Sequence, residues 1–286
     1  MRIVAMNTPR PHWSFSSISQ YLRCPLQYYF ERVLKLPRAS IGSGLILGSA
    51  THNALAAYHI SLMNGDVPKT DDIHEAFLDT WTSRESGETI DYKASENRDD
   101  LIAQGIALVE LYLQEPPPTQ IVMVEQKVLV PIRNSDGHYL ETPLVAVSDL
   151  ITREDDGVLK VNEFKTSGRS YGEFEVERSL QATCYVNAAW ETFGEWASVE
   201  FSVLVKTKTP KLQRLRTARN EDDLGRLGDV VENVEQAVHA GIFYPVESPM
   251  NCSTCSFRKQ CREWKPDREI ETPEYELVQL NGVGAC

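Results

Sequence analysis

No apolar run in the 286 residues reaches the length needed to span a bilayer. The opening stretch Met1 to Met6 lacks the apolar core of a secretory signal. These absences make a soluble, cytoplasmic chain with no membrane partner the expectation. Net basic charge is missing as well. A formal charge of -12 argues against a protein that coats nucleic acid by bulk attraction, although a local basic groove stays open to it. A phosphate loop is also absent, because Gly42-Ser43-Gly44 has no lysine in the Walker position and no strand before it. The apolar content of 42% is ordinary, enough to bury one large core with or without insertions.

What the chain does have centres on Asp149 to Lys165. Val145, Val147 and Asp149 alternate as residues on one strand face do. Asp155-Asp156-Gly157 is a tight-turn signal, and Leu159, Val161, Glu163 and Lys165 alternate on the way back. A hairpin closed there gathers Asp149, Glu163 and Lys165 at one end of a sheet face. Hard carboxylate oxygens suit Mg²⁺ or Mn²⁺, which can activate water and offset charge on a phosphate. The lysine can orient that water or neutralise developing charge. Taken alone, Glu163-x-Lys165 reads more often as an exposed salt bridge.

The remainder reads as mixed α/β with a central sheet flanked by helices. After a loose lead-in over 1–13, Ser16 or Ser17 caps a helix carrying Ile18, Tyr21 and Leu22. Tyr28, Tyr29 and Phe30 read as core. A helix over about 47–64 bears His52, with Leu55, Ala56 and His59 near the same side; a lone helical histidine is usually structural. Residues 66–115 read as acidic helices inserted over the active face. Strands are expected at 121–132, 139–152 and 198–205, and helices at 175–193 and 221–240. Glu125, in an apolar strand, needs a partner such as Lys127 or Lys165. The acid-free run Lys206 to Arg219 reads either as a phosphate track or as a solvated hairpin.

Cysteine is sparse but patterned. Cys252-x2-Cys255-x5-Cys261 is a tight group, and Cys24 lies far earlier in the chain. In a cytosolic chain this favours metal or cluster ligation over disulfides. Zinc usually takes two close pairs of ligands; three clustered thiolates and a remote fourth fit a [4Fe–4S] cluster as well or better. Such a site would clip the C-terminal segment onto the N-terminal helix. Cys184 reads as small core packing and Cys286 as a free thiol.

Together these pieces resemble the RecB-like branch of the PD-(D/E)xK nucleases, whose iron–sulfur members include the AddB nuclease domain and CRISPR-associated RecB-like exonucleases. Ser14 to Pro25 looks like that branch's opening helix with its first cluster cysteine, and Gly48-Ser49-Ala50-Thr51-His52 resembles its Gly-x-x-x-His motif. Asp149, Glu163-Phe164-Lys165 and Gln181-Ala182-Thr183-Cys184-Tyr185 are similar to its motif aspartate, (D/E)-x-K and Gln-x-x-x-Tyr. Cys252, Cys255 and Cys261 match its C-terminal cluster cysteines in order and spacing.

The resemblance implies a single RecB-like nuclease domain with a restriction-endonuclease-like core over 119–241, N-terminal helices over 14–64 and an iron–sulfur clip over 250–264; the helical insertion expected over 66–118 and the tail over 265–286 match nothing in that branch. It implies Mg²⁺ or Mn²⁺ held by His52, Asp149, Glu163 and the Phe164 carbonyl, with Lys165 acting on water or phosphate. Glu125 lies where some relatives carry an acidic residue. Gln181 and Tyr185 would handle DNA, and Cys24, Cys252, Cys255 and Cys261 would hold the cluster. The expected activity is exonucleolytic cleavage of single-stranded DNA or of DNA with free ends, in repair, phage or CRISPR processing. Helicase, CRISPR or phage recombination proteins are the expected partners. Rival readings are a structure-dependent endonuclease in a larger complex, a non-catalytic DNA-binding adaptor and a zinc-stabilised domain.

Overall fold

The computed structural model describes residues 11–265, so the expected tail and Cys286 lie outside the described residues. Strand β1 (Trp13–Ser14), helices α1 (Phe15–Arg23) and α2 (Pro25–Tyr28) and a π-helical turn (Tyr29–Val33) come first. Strand β2 (Ile41–Gly42) leads into α3 (Ser43–Met63), followed by α4 (Thr70–Gly87), β3 (Ile90–Asp91) and α5 (Arg98–Leu113). Three strands, β4 (Gln120–Val130), β5 (Leu144–Arg153) and β6 (Leu159–Ser167), then precede α6 (Glu173–Glu177) and α7 (Leu180–Phe193). The chain continues through β7 (Ala197–Val205), β8 (Lys211–Thr217) and α8 (Glu221–His239), then the short helices α9 (Pro249–Cys252) and α10 (Arg258–Glu263).

The main sheet runs β1-β5-β6-β7-β8, with β4 on the other edge of β5. β6 and β7 are parallel and β4–β5, β5–β6 and β7–β8 antiparallel, so the sheet is mixed, as the alternation of strands and helices predicts. The turn at Asp155-Asp156-Gly157 forms, and Gly157 takes the left-handed backbone it requires, φ 87°. Apolar side chains of α7 and α8 pack with Val161, Val199 and Val203 in one core. The predicted stripe on α8, from Leu224 to Val238, is buried there. Residues of α3, α4 and α5 form the second core with Leu150, Phe164 and Leu204.

Three local expectations change. The cap of α1 is Ser14 rather than Ser16 or Ser17: its hydroxyl accepts the Ser17 N–H at 3.3 Å, and Ser17 Oγ accepts the Ser14 N–H at 3.0 Å. Ser14 ends β1 in extended backbone, which a cap residue needs. The helix expected over 175–193 is two helices. Ser179 caps α7 by accepting the Ala182 N–H, while the Arg219 guanidinium donates to the carbonyls of Val176 and Ser179 at the junction. The helices expected as an insertion belong to the core itself. A Cβ on Gly105 of α5 would lie 2.3 Å from Phe77 of α4 and 2.7 Å from Leu47 of α3, so only glycine allows that crossing. Among the described residues no helix is long and apolar enough to cross a membrane.

Candidate active site

The site forms where β5 changes neighbours. Leu144 and Val145 pair with β1, and Leu150 to Arg153 pair with β6. Asp149 falls in the gap between the two ladders, where no strand takes up the hydrogen bonds of that edge. Its side chain substitutes: Phe164 N–H donates to Asp149 Oδ2 at 2.7 Å. The other carboxylate oxygen, Oδ1, lies 3.2 Å from Nδ1 of His52, which α3 carries over the sheet.

Glu125 completes a cluster. On β4, Val124 pairs with Leu150 and Gln126 with Ser148, which puts Glu125 across from Asp149. One ligand atom each from His52, Glu125 and Asp149 lie mutually within 4.8 Å. The partners of Glu125 are therefore an imidazole and a carboxylate, not the Lys127 or Lys165 expected from sequence. The pairing register carries this fact, and it becomes legible only once β4 and β5 are aligned. Glu125 also takes a left-handed backbone, φ 48°, inside a strand. For a non-glycine residue that costs roughly 1–2 kcal/mol.

The electrostatics follow from crowding. Burial alone would lower the pKa of His52, but the hydrogen bond and charge of Asp149, with Glu163 beyond it, hold it up at about 9. Glu125 reaches solvent as a residue, yet its carboxyl end faces the cluster. Lost hydration there, with the charge of Asp149, raises its pKa to about 7. His59, two turns of α3 further on, is fully buried. It shares its two ring nitrogens with the Leu55 carbonyl at 2.7 Å and the Tyr112 hydroxyl at 3.1 Å, and stacks on Phe164. Burial lowers its pKa to about 4, which keeps the ring neutral. The Phe164 ring is fixed between His59 and Tyr112, and that fixes the backbone beside Asp149.

On the α7 side of the sheet four polar side chains hydrogen-bond one another. Glu163 Oε1 accepts from Lys165 Nζ at 2.6 Å and from Gln181 Nε2 at 2.7 Å, and Oε2 accepts from the Tyr185 hydroxyl at 2.5 Å. Lys165 also donates to Gln181 Oε1 at 2.8 Å. Burial and the charge of Asp149 push the Glu163 carboxyl upward. Burial works against the Lys165 ammonium, but Glu163 outweighs it and keeps the lysine charged. Gln181 and Tyr185, expected to handle DNA, turn inward instead. Tyr185 is buried, and the pair holds Glu163 and Lys165 in place.

The basic run of 206–219 forms β8, so the hairpin alternative holds and the phosphate-track alternative fails for its arginines. Arg214 and Arg216 bind the two oxygens of buried Glu200, each at 2.8 Å, and reach on to Glu115 and Glu154. Arg219 is spent on the α6–α7 junction.

A second group of residues forms far from the sheet gap. Cys24, Cys252, Cys255 and Cys261 line one cavity of about 440 Å³ with Phe30 and Phe257. The C-terminal segment is fastened there: Asn251 Nδ2 donates to the Arg23 carbonyl, Leu26 N–H to that of Tyr244, and Phe257 packs on Phe30. No three cysteine sulfurs lie within 4.8 Å of one another among the described residues. A tetrahedral zinc, with bonds of about 2.3 Å, needs its thiolates closer together than that. Cys184 is core packing, with burial pushing its thiol up to about 12.

Compared with known proteins, residues 12–262 match the PD-(D/E)XK nuclease superfamily. The crystal structure of a putative exonuclease from Eubacterium rectale is similar across 99% of this chain and 100% of its own, at 11% identity and a TM-score of 0.51. At that identity the likeness concerns the fold. The crystal structure of SSO0001 aligns over 87% of this chain and 98% of its own, at 14% identity and a TM-score of 0.34. No curated protein matches the chain.

Proposed function

The chain belongs to the PD-(D/E)XK nuclease superfamily, and on that premise we propose that it is a Mg²⁺- or Mn²⁺-dependent deoxyribonuclease of the RecB-like branch, acting from DNA ends. The observation that carries this reading is the convergence of His52, Glu125 and Asp149 beside the Glu163–Lys165 pair. Two hard carboxylates and one imidazole fit Mg²⁺ or Mn²⁺. A divalent cation at such a site supplies water activation and charge neutralisation on the phosphate.

The side chains divide the remaining work. In this reading His52, Asp149 and Glu125 provide ligand atoms for the metal, with the Phe164 carbonyl and Glu163 as the further ligands. Lys165 is the cation that orients water or meets charge growing on the phosphodiester. Gln181 and Tyr185 fix its position through Glu163, and the stack of His59 on Phe164 fixes the strand that carries it.

The same reading gives the four cysteines a [4Fe–4S] cluster with a structural role. What supports a common role for them is that Cys24, Cys252, Cys255 and Cys261 line one cavity. These 286 residues carry no Walker motif, and a helicase, CRISPR or phage recombination protein is the partner this reading supplies.

The test is degradation of end-labelled linear and closed circular DNA with Mn²⁺, Mg²⁺ or EDTA, using anaerobically purified protein beside Asp149→Ala. Metal-dependent loss of linear DNA alone, absent in the variant, is the expected result. Cutting of circles would replace the exonuclease with an endonuclease. Intact DNA throughout, with DNA still bound, would leave an adaptor. Visible absorbance of the same preparation, and its metal content, separates an iron–sulfur cluster from zinc.

A further inference from the structure

Two packed helices and one strand wall a cavity of about 590 Å³ on the α3 side of the sheet. From α3 come Ser49, His52 and Asn53, spaced three and four residues apart and so on one face. From α4 come Thr80 and Arg84, one turn apart, next to Phe77 and Trp81, which bury α4 in the second core. Glu125 of β4 completes the wall. Two of the three candidate metal ligands are carboxylates, whereas Arg84 is the one lysine or arginine lining this cavity among the described residues. Arg84 lies in the stretch 66–118, so none of the motifs points to it.

The guanidinium of Arg84 is held but not used up. Nη1 donates to both oxygens of Glu88, at 3.2 and 3.0 Å, and Nη2 donates to Ser49 Oγ at 3.2 Å. Nε and the second Nη2 hydrogen carry no bond among the described residues. Ser49 Oγ accepts in this contact, which leaves its own hydrogen available to donate. A planar fork of charged donors beside a hydroxyl donor matches an anion with several oxygens, above all phosphate. The pair with Glu88, at the C-cap of α4, joins side chains that are 38% and 35% exposed. Such a pair is weak in water, so an anion can draw the fork away at little cost.

We propose that Arg84 and Ser49 form a phosphate-binding site in the wall of this cavity, beside the carboxylates and imidazole of the candidate metal site. The proposal rests on the nuclease reading for whose phosphate is bound, one at the end of a strand or one within it. Binding itself is carried by the fork and the hydroxyl. Glu88 competes for the same fork and so sets how readily the site opens. The carboxylates of Glu125 and Asp149 oppose an anion here unless a divalent cation offsets them, so affinity for phosphate is highest with the metal present.

The test is isothermal titration calorimetry of phenyl phosphate and of dimethyl phosphate into the protein, in Mg²⁺ and in EDTA. Phenyl phosphate stands for a phosphorylated strand end and dimethyl phosphate for a phosphate within a strand; the tighter of the two assigns the source. Arg84→Gln is expected to weaken the tighter probe about tenfold, with Mg²⁺ affinity at the wild-type value. Arg84→Lys, which keeps the charge but loses the fork, should recover only part of that loss. Glu88→Gln should bind the probe more tightly than wild type, because the fork has lost its charged competitor. Absence of phosphate binding in the wild type, or equal binding in Arg84→Gln, would overturn the proposal. So would weaker binding in Glu88→Gln, or a parallel loss of Mg²⁺ affinity in Arg84→Gln, which would make Arg84 a structural residue. Cleavage of linear DNA in Mg²⁺ by the wild type is measured alongside: phosphate bound through Arg84 with no cleavage counts against the nuclease reading and not against the site.

Discussion

The two sides of the candidate site are built on opposite terms. On the α3 side, His52, Glu125 and Asp149 meet at the edge of a cavity, with one of them in a left-handed backbone. On the α7 side, Glu163 is buried and both of its oxygens are occupied by Lys165, Gln181 and Tyr185. A cation on the first side would take over the His52 Nδ1–Asp149 Oδ1 contact and draw on the Glu125 carboxylate beside it. A catalytic lysine needs a fixed position and a fixed charge, and the second side provides both. The difference teaches that carboxylates in one site can be given separate surroundings, Asp149 beside an imidazole and Glu125, Glu163 beside a lysine, an amide and a phenol.

Substitutions can break either side separately. The largest effect is expected from Asp149→Ala or Lys165→Ala: cleavage falls by roughly a thousandfold or more, given what single electrostatic groups contribute in such sites. DNA affinity in EDTA should stay near wild type in both. Next comes Tyr185→Phe, which leaves Glu163 Oε2 without its donor. An unsatisfied buried carboxylate oxygen costs about 1–3 kcal/mol, so a melting temperature lower by a few degrees and a turnover reduced roughly tenfold are expected. Unchanged values for both would mean the α7 side does not position the lysine.

The smallest effect is a pH dependence on the open side. The Glu125 pKa is raised to about 7 from its ordinary 4.5. The metal-free folded protein therefore binds more protons than the unfolded chain between those values, and stability falls as pH rises across that window. Denaturant titrations at several pH values should show that slope, and Glu125→Gln should flatten it. A variant keeping the full slope would assign the titration elsewhere. Glu125→Gly, by accepting the backbone angle freely, should raise stability while weakening Mn²⁺ binding in calorimetry.

Much of this architecture is legible in the sequence because its signals are local. Alternation from Val145 to Asp149, the Asp-Asp-Gly turn and the return to Lys165 predict the hairpin, and the stripe from Leu224 to Val238 predicts α8. What escapes depends on distant partners. Whether Arg214 and Arg216 are free is decided by Glu200 and Glu154, which only the folded sheet brings to them. The inward turn of Gln181 and Tyr185 depends on α7 lying over β6, and the role of Glu125 on a register set between two strands. The cap at Ser14 was hidden for a related reason: three good cap residues stand close together, and pairing of β1 with Leu144 selects among them.

The ion pairs on β8 have one more consequence. β8 closes one end of the sheet, so its outer row of amides and carbonyls is available to any other strand that approaches. Exposed Lys211, Arg214 and Arg216 stud that border at alternate or near-alternate positions. An incoming strand would have to strip water from these charges or pull them from Glu115 and Glu154. The charged border thus makes extension of the sheet by a neighbouring strand costly.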